Sequence, residues 1–291
     1  MKPPPFVYHR PSDVDEALGT LAEFGSDGKI LAGGQSLVPL MSMRLAAPAH
    51  LIDINGLSEL GDIRVGHDGV QVGATVRHAQ LELDAAAFTA QPLLRQALQY
   101  VAHPTIRNRG TSVGSLAHAD PAGELTAVLA LLGGKVTLRN TAAVRTVAAA
   151  DFFLGPLESA VRPDELATSA FFPELPPRTG SAWTEVSRRN GDYAICGVGA
   201  IVTLDDDRRI ASARVGLISV APTPVVVDVG ESLTGRPADA VSFDAAARQV
   251  EDTVDPEPDI HATAEYRRHL AGVLTQRALG NATDRAMEAT T

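Results

Sequence analysis

A chain of 291 residues with 45% apolar side chains exceeds what one core comfortably fills, so two domains are expected. Its net charge of −10 argues against nucleic acid as a general partner, and its single cysteine, Cys196, excludes an internal disulfide, a cysteine-built zinc site and an iron–sulfur cluster of its own. No run reaches the ~18 apolar residues of a membrane span, and Met1-Lys2-Pro3-Pro4-Pro5 lacks the apolar centre of a signal peptide, so a cytoplasmic location is expected.

Residues 12–24 predict the first helix. Val14, Leu18, Leu21 and Phe24 share one face, Ser12 with Asp15 resembles a capping box, and Gly25 is placed to close the C-terminus. A short strand, residues 29–32, then runs into Ala32-Gly33-Gly34-Gln35-Ser36 and a helix that holds Pro39 in its first turn. Two glycines in such a turn let backbone N–H groups approach an anion that a Cβ would hold off. Ser36 can cap that helix or donate its hydroxyl. Residues 50–54 read as the next strand. Neither a Gly-x-Gly-x-x-Gly nor a Walker A sequence stands at the turn, which disfavours a dinucleotide Rossmann fold.

Two strands, residues 63–65 and 70–72, flank His67-Asp68-Gly69 as a hairpin. Thr75 is a candidate cap for a helix starting near Val76. A further helix covers residues 91–102 and ends at His103-Pro104. Residues 105–124 then follow neither the strand nor the helix period. An irregular stretch of that length between apolar helices reads as functional. Its Arg, Asn, Thr, Ser and His suit phosphates and ribose hydroxyls, and Asp120 and Glu124 suit hydroxyl donors. Arg107 and Arg109 read equally as anion contacts or as solvated surface residues, and His118 as a contact or an ordinary loop histidine.

Residues 124–132 predict an apolar helix, and Gly133-Gly134 turns it into a strand at 135–139. A strand at 167–172 precedes Pro173-Glu174-Leu175-Pro176-Pro177, which reads as a linker. Strands at 183–187, 199–204 and 212–220 and then helices at 243–254 and 262–279 give an α+β order with an antiparallel sheet. The expected domains are residues 1–177, divided near 55–60, and 178–280, with 281–291 a flexible tail. Cys196 reads as a buried small hydrophobe.

Acids number 35 in 291 residues, so a window of 25 should hold about three. Residues 28–52 and 85–119 hold none, and each window contains a glycine turn. That pattern suits a bound anion, with local composition as the competing explanation.

Ala32-Gly33-Gly34-Gln35-Ser36 and Thr111-Ser112-Val113-Gly114-Ser115 form a pair of loops. With them stand Arg107-Asn108, Gly110, Ala117-His118-Ala119-Asp120-Pro121 and Ser187-Arg188-Arg189-Asn190-Gly191-Asp192-Tyr193. Together they resemble the FAD-binding medium subunit of molybdenum hydroxylases, of the carbon monoxide dehydrogenase, quinoline oxidoreductase and nicotine dehydrogenase type. The FAD domain of xanthine dehydrogenase is similar. The resemblance covers essentially the whole chain. It implies an α+β fold, a two-subdomain FAD-binding module of the vanillyl-alcohol-oxidase kind followed by a smaller α+β domain.

The resemblance also implies FAD held non-covalently, its pyrophosphate wrapped by Ala32, Gly33, Gly34, Gln35, Ser36 and Leu37 on one side. Thr111, Ser112, Val113, Gly114 and Ser115 would wrap the other. Glu124, with Asp120 as a near alternative, aligns with an acid on the ribose. Val161 aligns with a backbone contact to the flavin ring, and Tyr193 with a side chain beside the isoalloxazine. Val113 departs from the pattern: the family usually has glycine there, and a β-branched residue takes positive φ only at a cost. The implied role is electron transfer, from [2Fe–2S] clusters on a small partner, which drain a molybdenum cofactor on a large partner, to an external acceptor. A dimer of heterotrimers is implied, with no catalytic acid, base or metal ligand on this chain. Two other readings stand beside it. One is a stand-alone flavin oxidase, although Gln35 offers no covalent tether. The other is a flavin-free assembly subunit, which Val113 would favour.

Overall fold

Three main sheets and one two-stranded hairpin are formed among the residues the computed structural model describes, 1–288. The first segment holds β1 (Val7–His9), α1 (Val14–Phe24), β2 (Gly28–Leu31), α2 (Leu37–Ser42) and β3 (His50–Asp53). Its sheet has the order β1-β3-β2 and is parallel throughout. α1 starts at Asp13, whose carboxylate accepts from the Glu16 N–H at 2.8 Å. Ser12 is not the cap that the sequence suggests; its N–H and hydroxyl donate to the Glu16 carboxylate instead. Gly25 ends the helix with φ of 51°.

The second segment begins with β4 (Ile63–Val65) and β5 (Gly69–Gly73), the expected hairpin. Helices α3 (His78–Leu83), α4 (Ala85–Ala90), α5 (Pro92–Leu98), α6 (Pro104–Arg107), α7 (Ser112–His118) and α8 (Glu124–Leu132) follow. Next come β6 (Lys135–Arg139), β7 (Val144–Ala148), α9 (Ala149–Phe152), a small hairpin of β8 (Phe153–Gly155) and β9 (Glu158–Ser159), and β10 (Leu166–Pro173). The sheet order is β4-β5-β10-β6-β7, all antiparallel. Thr75 caps nothing: α3 begins after Arg77, whose N–H donates to Gln80 Oε1 at 2.8 Å. Residues 105–124 are also more regular than their pattern implies, since α6 and α7 lie within them. Pro104 sits in the first turn of α6, where its missing N–H is tolerated.

The third segment holds β11 (Thr179–Ser187), β12 (Ala194–Leu204), β13 (Ile210–Ile218) and β14 (Val225–Asp228), an antiparallel meander. Helices α10 (Gly230–Leu233), α11 (Ala240–Thr253) and α12 (Ala264–Glu288) complete it. The flexible tail expected from residue 281 is corrected here. α12 continues to Glu288, burying Ala282, Thr283 and Ala286 against the sheet, and Arg285 donates to the Ser181 carbonyl at 2.6 Å. Small alanines carry this last packing, so no bulky apolar period marks it in the sequence. Residues 289–291 of the expected tail lie outside the described residues. Deleting residues 281–291 is expected to destabilise the protein by about 2–3 kcal/mol, seen as a lower urea midpoint.

Two apolar clusters run through the molecule. One joins α1, the central helices and β5, β6 and β10, and it takes in Trp183, Ala194, Ile201 and Ile218 of the third sheet. The other lies between that sheet and α10, α11 and α12, and contains Cys196. Cys196 is fully buried, and burial pushes its thiol up to about 12. An alkylating reagent at neutral pH is expected to leave it unmodified until the protein is denatured, as read by intact mass.

Candidate functional site

A cleft of about 800 Å³ opens where the three segments meet, and its size suits a bound small molecule or cofactor. It is lined by Ala32, Gly33, Gly34, Gln35, Ser36 and Leu37 from the turn between β2 and α2. Thr111, Val113, Gly114 and Ser115 line it from the start of α7, and Asp120, Glu124, Val161 and Tyr193 close the remaining walls. The two loops, about 75 residues apart in the chain, thus share one cavity.

The loops touch backbone to backbone. A Cβ on Gly33 would lie 2.5 Å from the Arg109 carbonyl oxygen and 2.6 Å from Gly110 Cα. A Cβ on Gly114 would collide with Thr111 Oγ1 and stand 3.9 Å from Ala32 Cβ. Gly34 has φ of 72°, the left-handed region that turns the chain from β2 toward α2. Neither Ser36 nor Thr111 caps its helix through its side chain. Of the two roles open to Ser36, capping is therefore not the one it takes. Among the described residues the N–H groups of Gly34, Gln35, Ser36, Val113 and Gly114 meet no protein acceptor.

Val113 resolves its own departure from the family pattern. It lies in the first turn of α7, is not among the residues with positive φ, and is 1% exposed. Its side chain fills the core while its backbone lines the cleft. Ser112 is the one predicted site residue that the cleft does not receive. It is buried, its N–H donates to the Val76 carbonyl at 3.1 Å, and its hydroxyl lies 3.4 Å from Nδ1 of His78. Burial and the nearby Arg107 hold His78 down to about 4, so this imidazole is neutral.

Glu124 opens α8 and is only 8% exposed at the cleft wall, where its own backbone N–H donates to its carboxylate. Burial, with the Glu185 carboxylate of β11 next, pushes its carboxyl up to about 8; Asp120 adds to the rise and Arg107 opposes it. Burial also raises Glu185, to about 7, against the hydrogen bond from Trp183 Nε1 at 3.3 Å. Asp120 accepts from the Ala122 N–H at 2.9 Å and faces His118 Nε2 at 4.0 Å. Burial lowers the His118 pKa despite that neighbour. Tyr193 stands at the mouth with 71% of its surface exposed.

Arg107 is an internal tie rather than an anion contact. Its guanidinium pairs with Glu82 at 2.8 Å and donates to the Val101 and Ala102 carbonyls at 3.0 and 3.1 Å. Arg109 is exposed, and it is its carbonyl that packs against the first loop. Sequence reasoning missed His78, which lines the cleft floor, and the pair Asn55 and Arg77 behind the loops. Asn55 stands two residues beyond the end of β3, and nothing in its spacing links it to Arg77.

These residues fit an anionic, hydroxyl-rich cofactor such as FAD. Thr111 Oγ1 is buried at the cleft with no hydrogen-bond partner, and the backbone N–H groups of Gly33, Gly34, Gln35, Ser36, Val113 and Gly114 are unengaged in the two loops. Glycines keep the space beside them clear, and an acid suited to hydroxyl donors stands further along the wall. No cluster of His, Cys, Asp or Glu suited to a metal occurs among the described residues. No helix among them is long and apolar enough to cross a membrane.

Comparison with known proteins agrees with this geometry. The family described as "FAD binding domain in molybdopterin dehydrogenase" matches residues 4–175, and "CO dehydrogenase flavoprotein C-terminal domain" matches residues 181–282. The 6-hydroxypseudooxynicotine dehydrogenase complex subunit alpha of Paenarthrobacter nicotinovorans is 39% identical, over 98% of this chain and 97% of its own. The carbon monoxide dehydrogenase medium chain of Afipia carboxidovorans is 35% identical, over 98% and 99%. The solved structure of quinoline 2-oxidoreductase from Pseudomonas putida 86 superposes with a TM-score of 0.94 at 34% identity, covering 99% of this chain and 100% of that one. On the strength of two adjoining family matches and relatives aligned end to end, the chain belongs to the FAD-binding medium-subunit family of the molybdenum hydroxylases.

Proposed function

We propose that this chain is the flavoprotein subunit of a multi-subunit molybdenum dehydrogenase, with its FAD in the cleft between the two loops. One observation carries the reading: two turns distant in sequence bring unengaged N–H groups and an orphaned threonine hydroxyl to the same cavity. FAD supplies the electron-carrying chemistry when bound. The protein's part is to hold and screen it. The N–H groups of residues 34–36 and 113–114 would hold the pyrophosphate, and Thr111 Oγ1 would donate to one of its oxygens. Glu124 would accept from ribose hydroxyls, Val161 would offer a backbone contact to the ring, and Tyr193 would cover the mouth. None of these needs to move a proton in the reaction.

Electrons would arrive from [2Fe–2S] clusters on a small subunit, fed by a molybdenum cofactor on a large one, and leave to an external acceptor. The assembly would be a dimer of heterotrimers in the cytoplasm. Neither alternative is favoured: relatives of this chain along its whole length are themselves named as subunits or medium chains of dehydrogenases. Gln35 also leaves the first loop without a covalent tether. The test is native co-purification, with iron and molybdenum analysis, a flavin spectrum, and acid denaturation to release free FAD. Flavin at one per chain, released on denaturation and accompanied by iron and molybdenum, is the expected outcome. An apoprotein monomer that takes up no FAD overturns the reading.

A further inference from the structure

Two backbone carbonyls, one from each loop, are gripped by a single pair of side chains. Asn55 donates from Nδ2 to the Ala32 carbonyl at 2.7 Å. Its Oδ1 accepts from Arg77 Nη2 at 2.6 Å, and Arg77 Nη1 donates to the Arg109 carbonyl at 2.5 Å. Ala32 begins the first loop, and Arg109 stands just before Gly110-Thr111 in the second. Each member is itself anchored. One oxygen of Asp53 accepts from both the N–H and Nδ2 of Asn55, at 2.9 and 2.6 Å; the other accepts from the Tyr8 hydroxyl at 2.5 Å. The Arg77 N–H donates to Gln80 Oε1 at 2.8 Å, and Arg77 forms an antiparallel bridge with Thr111. Arg77 has no carboxylate within ion-pair distance among the described residues, so its guanidinium serves neutral oxygens.

We propose that Asn55 and Arg77 act as one positioning clamp that sets the separation and tilt of the two pyrophosphate loops. The inference rests on the reading of the cleft as the FAD site. The loops come from different sheets, β2 on one side and the helical stretch after β5 on the other, so neither sheet's ladder fixes the distance between them. In a trans peptide the carbonyl and the next N–H point opposite ways. Holding the Ala32 carbonyl toward Asn55 therefore aims the Gly33 N–H away from it, and that N–H has no acceptor among the described residues. Charged donors make the stronger hydrogen bonds, which suits Arg77 to hold a carbonyl at a partly exposed position. Neither Asn55 nor Arg77 lines the cavity, so their effect on the cofactor is indirect.

The test titrates the deflavinated full-length chain with FAD, following flavin fluorescence, in wild type, Asn55→Ala, Arg77→Met and the double variant. Each single change is expected to weaken FAD about tenfold or more, the loss of one charge-assisted bond. The double variant should be no weaker than the worse single, because the two residues act as one unit. Arg77→Lys, whose one ammonium cannot span both oxygens, should fall between. Asn55→Asp, near-isosteric and still able to accept from Arg77, should bind as weakly as Asn55→Ala because it cannot donate to Ala32. This keeps the test decisive if truncation harms folding. Wild-type affinity in either single variant, additive losses in the double, or full rescue by Arg77→Lys overturns the clamp while leaving the FAD site standing. A wild-type chain that binds no FAD overturns both.

Discussion

Gly33→Ala is expected to cut FAD affinity by at least ~10- to 100-fold, with Gly33→Val worse. The added methyl would stand 2.5 Å from the Arg109 carbonyl oxygen, 2.6 Å from Gly110 Cα and 3.0 Å from the Thr111 N. All three are backbone atoms of the second loop, so no flexible side chain can yield. Relief requires the loops to part, at the ~1–3 kcal/mol typical of overpacking, and parting removes the convergence of N–H groups on which the anion depends. Equilibrium dialysis against FAD reads the loss directly. An alanine variant with wild-type affinity would show that the contact between the loops is dispensable.

Glu124→Gln is expected to stabilise the FAD-free chain progressively as pH rises. A carboxyl held at about 8 in the folded state, against an ordinary 4.5, binds its proton more tightly when folded. Such a group leaves stability intact below about pH 4.5 and erodes it as pH climbs toward 8. Each tenfold difference in proton affinity between the folded and unfolded chain is worth ~1.4 kcal/mol, so the full effect is a few kcal/mol. Glu185 tilts stability the same way between its ordinary 4.5 and about 7. His78 tilts it the other way: kept neutral down to about 4, it lends stability that fades as pH falls from 6.5. The raw curve therefore mixes opposing slopes, and the difference between wild type and Glu124→Gln removes the His78 slope and reports Glu124 together with its coupling to Glu185. That difference should widen from pH 5 to 8 and then level off in thermal melts. Parallel melting curves across that range would sink the prediction.

The features legible in the sequence are those in which local chemistry decides the outcome. Ala32-Gly33-Gly34 could only be a tight turn, and the hairpin at Asp68-Gly69 and the apolar run of α8 followed from residue type alone. α7 was hidden because Ser112, Gly114 and Ser115 are weak helix formers, held helical by the burial of Val113 and Leu116. The far end of α12 was hidden for a related reason: its contacts are made by alanines and threonine. Arg107 had the right charge for a phosphate. Only the fold shows Glu82 claiming it, 25 residues earlier in the chain. Asn55 and Arg77 became visible only once β3 and the start of α3 were placed together. In each case the missing information was a long-range partner, which a single chain read in order does not display.

Trp183, Ala194, Ile201 and Ile218 belong to the third sheet but pack into the apolar interior of the second segment. Melting of the two halves is consequently tied together. A calorimetric scan should show one endotherm, and a protease nick between Pro173 and Pro177 should leave fragments that still co-elute under native conditions. Genetic separation of the halves at that point would yield two pieces, each missing part of the other's interior.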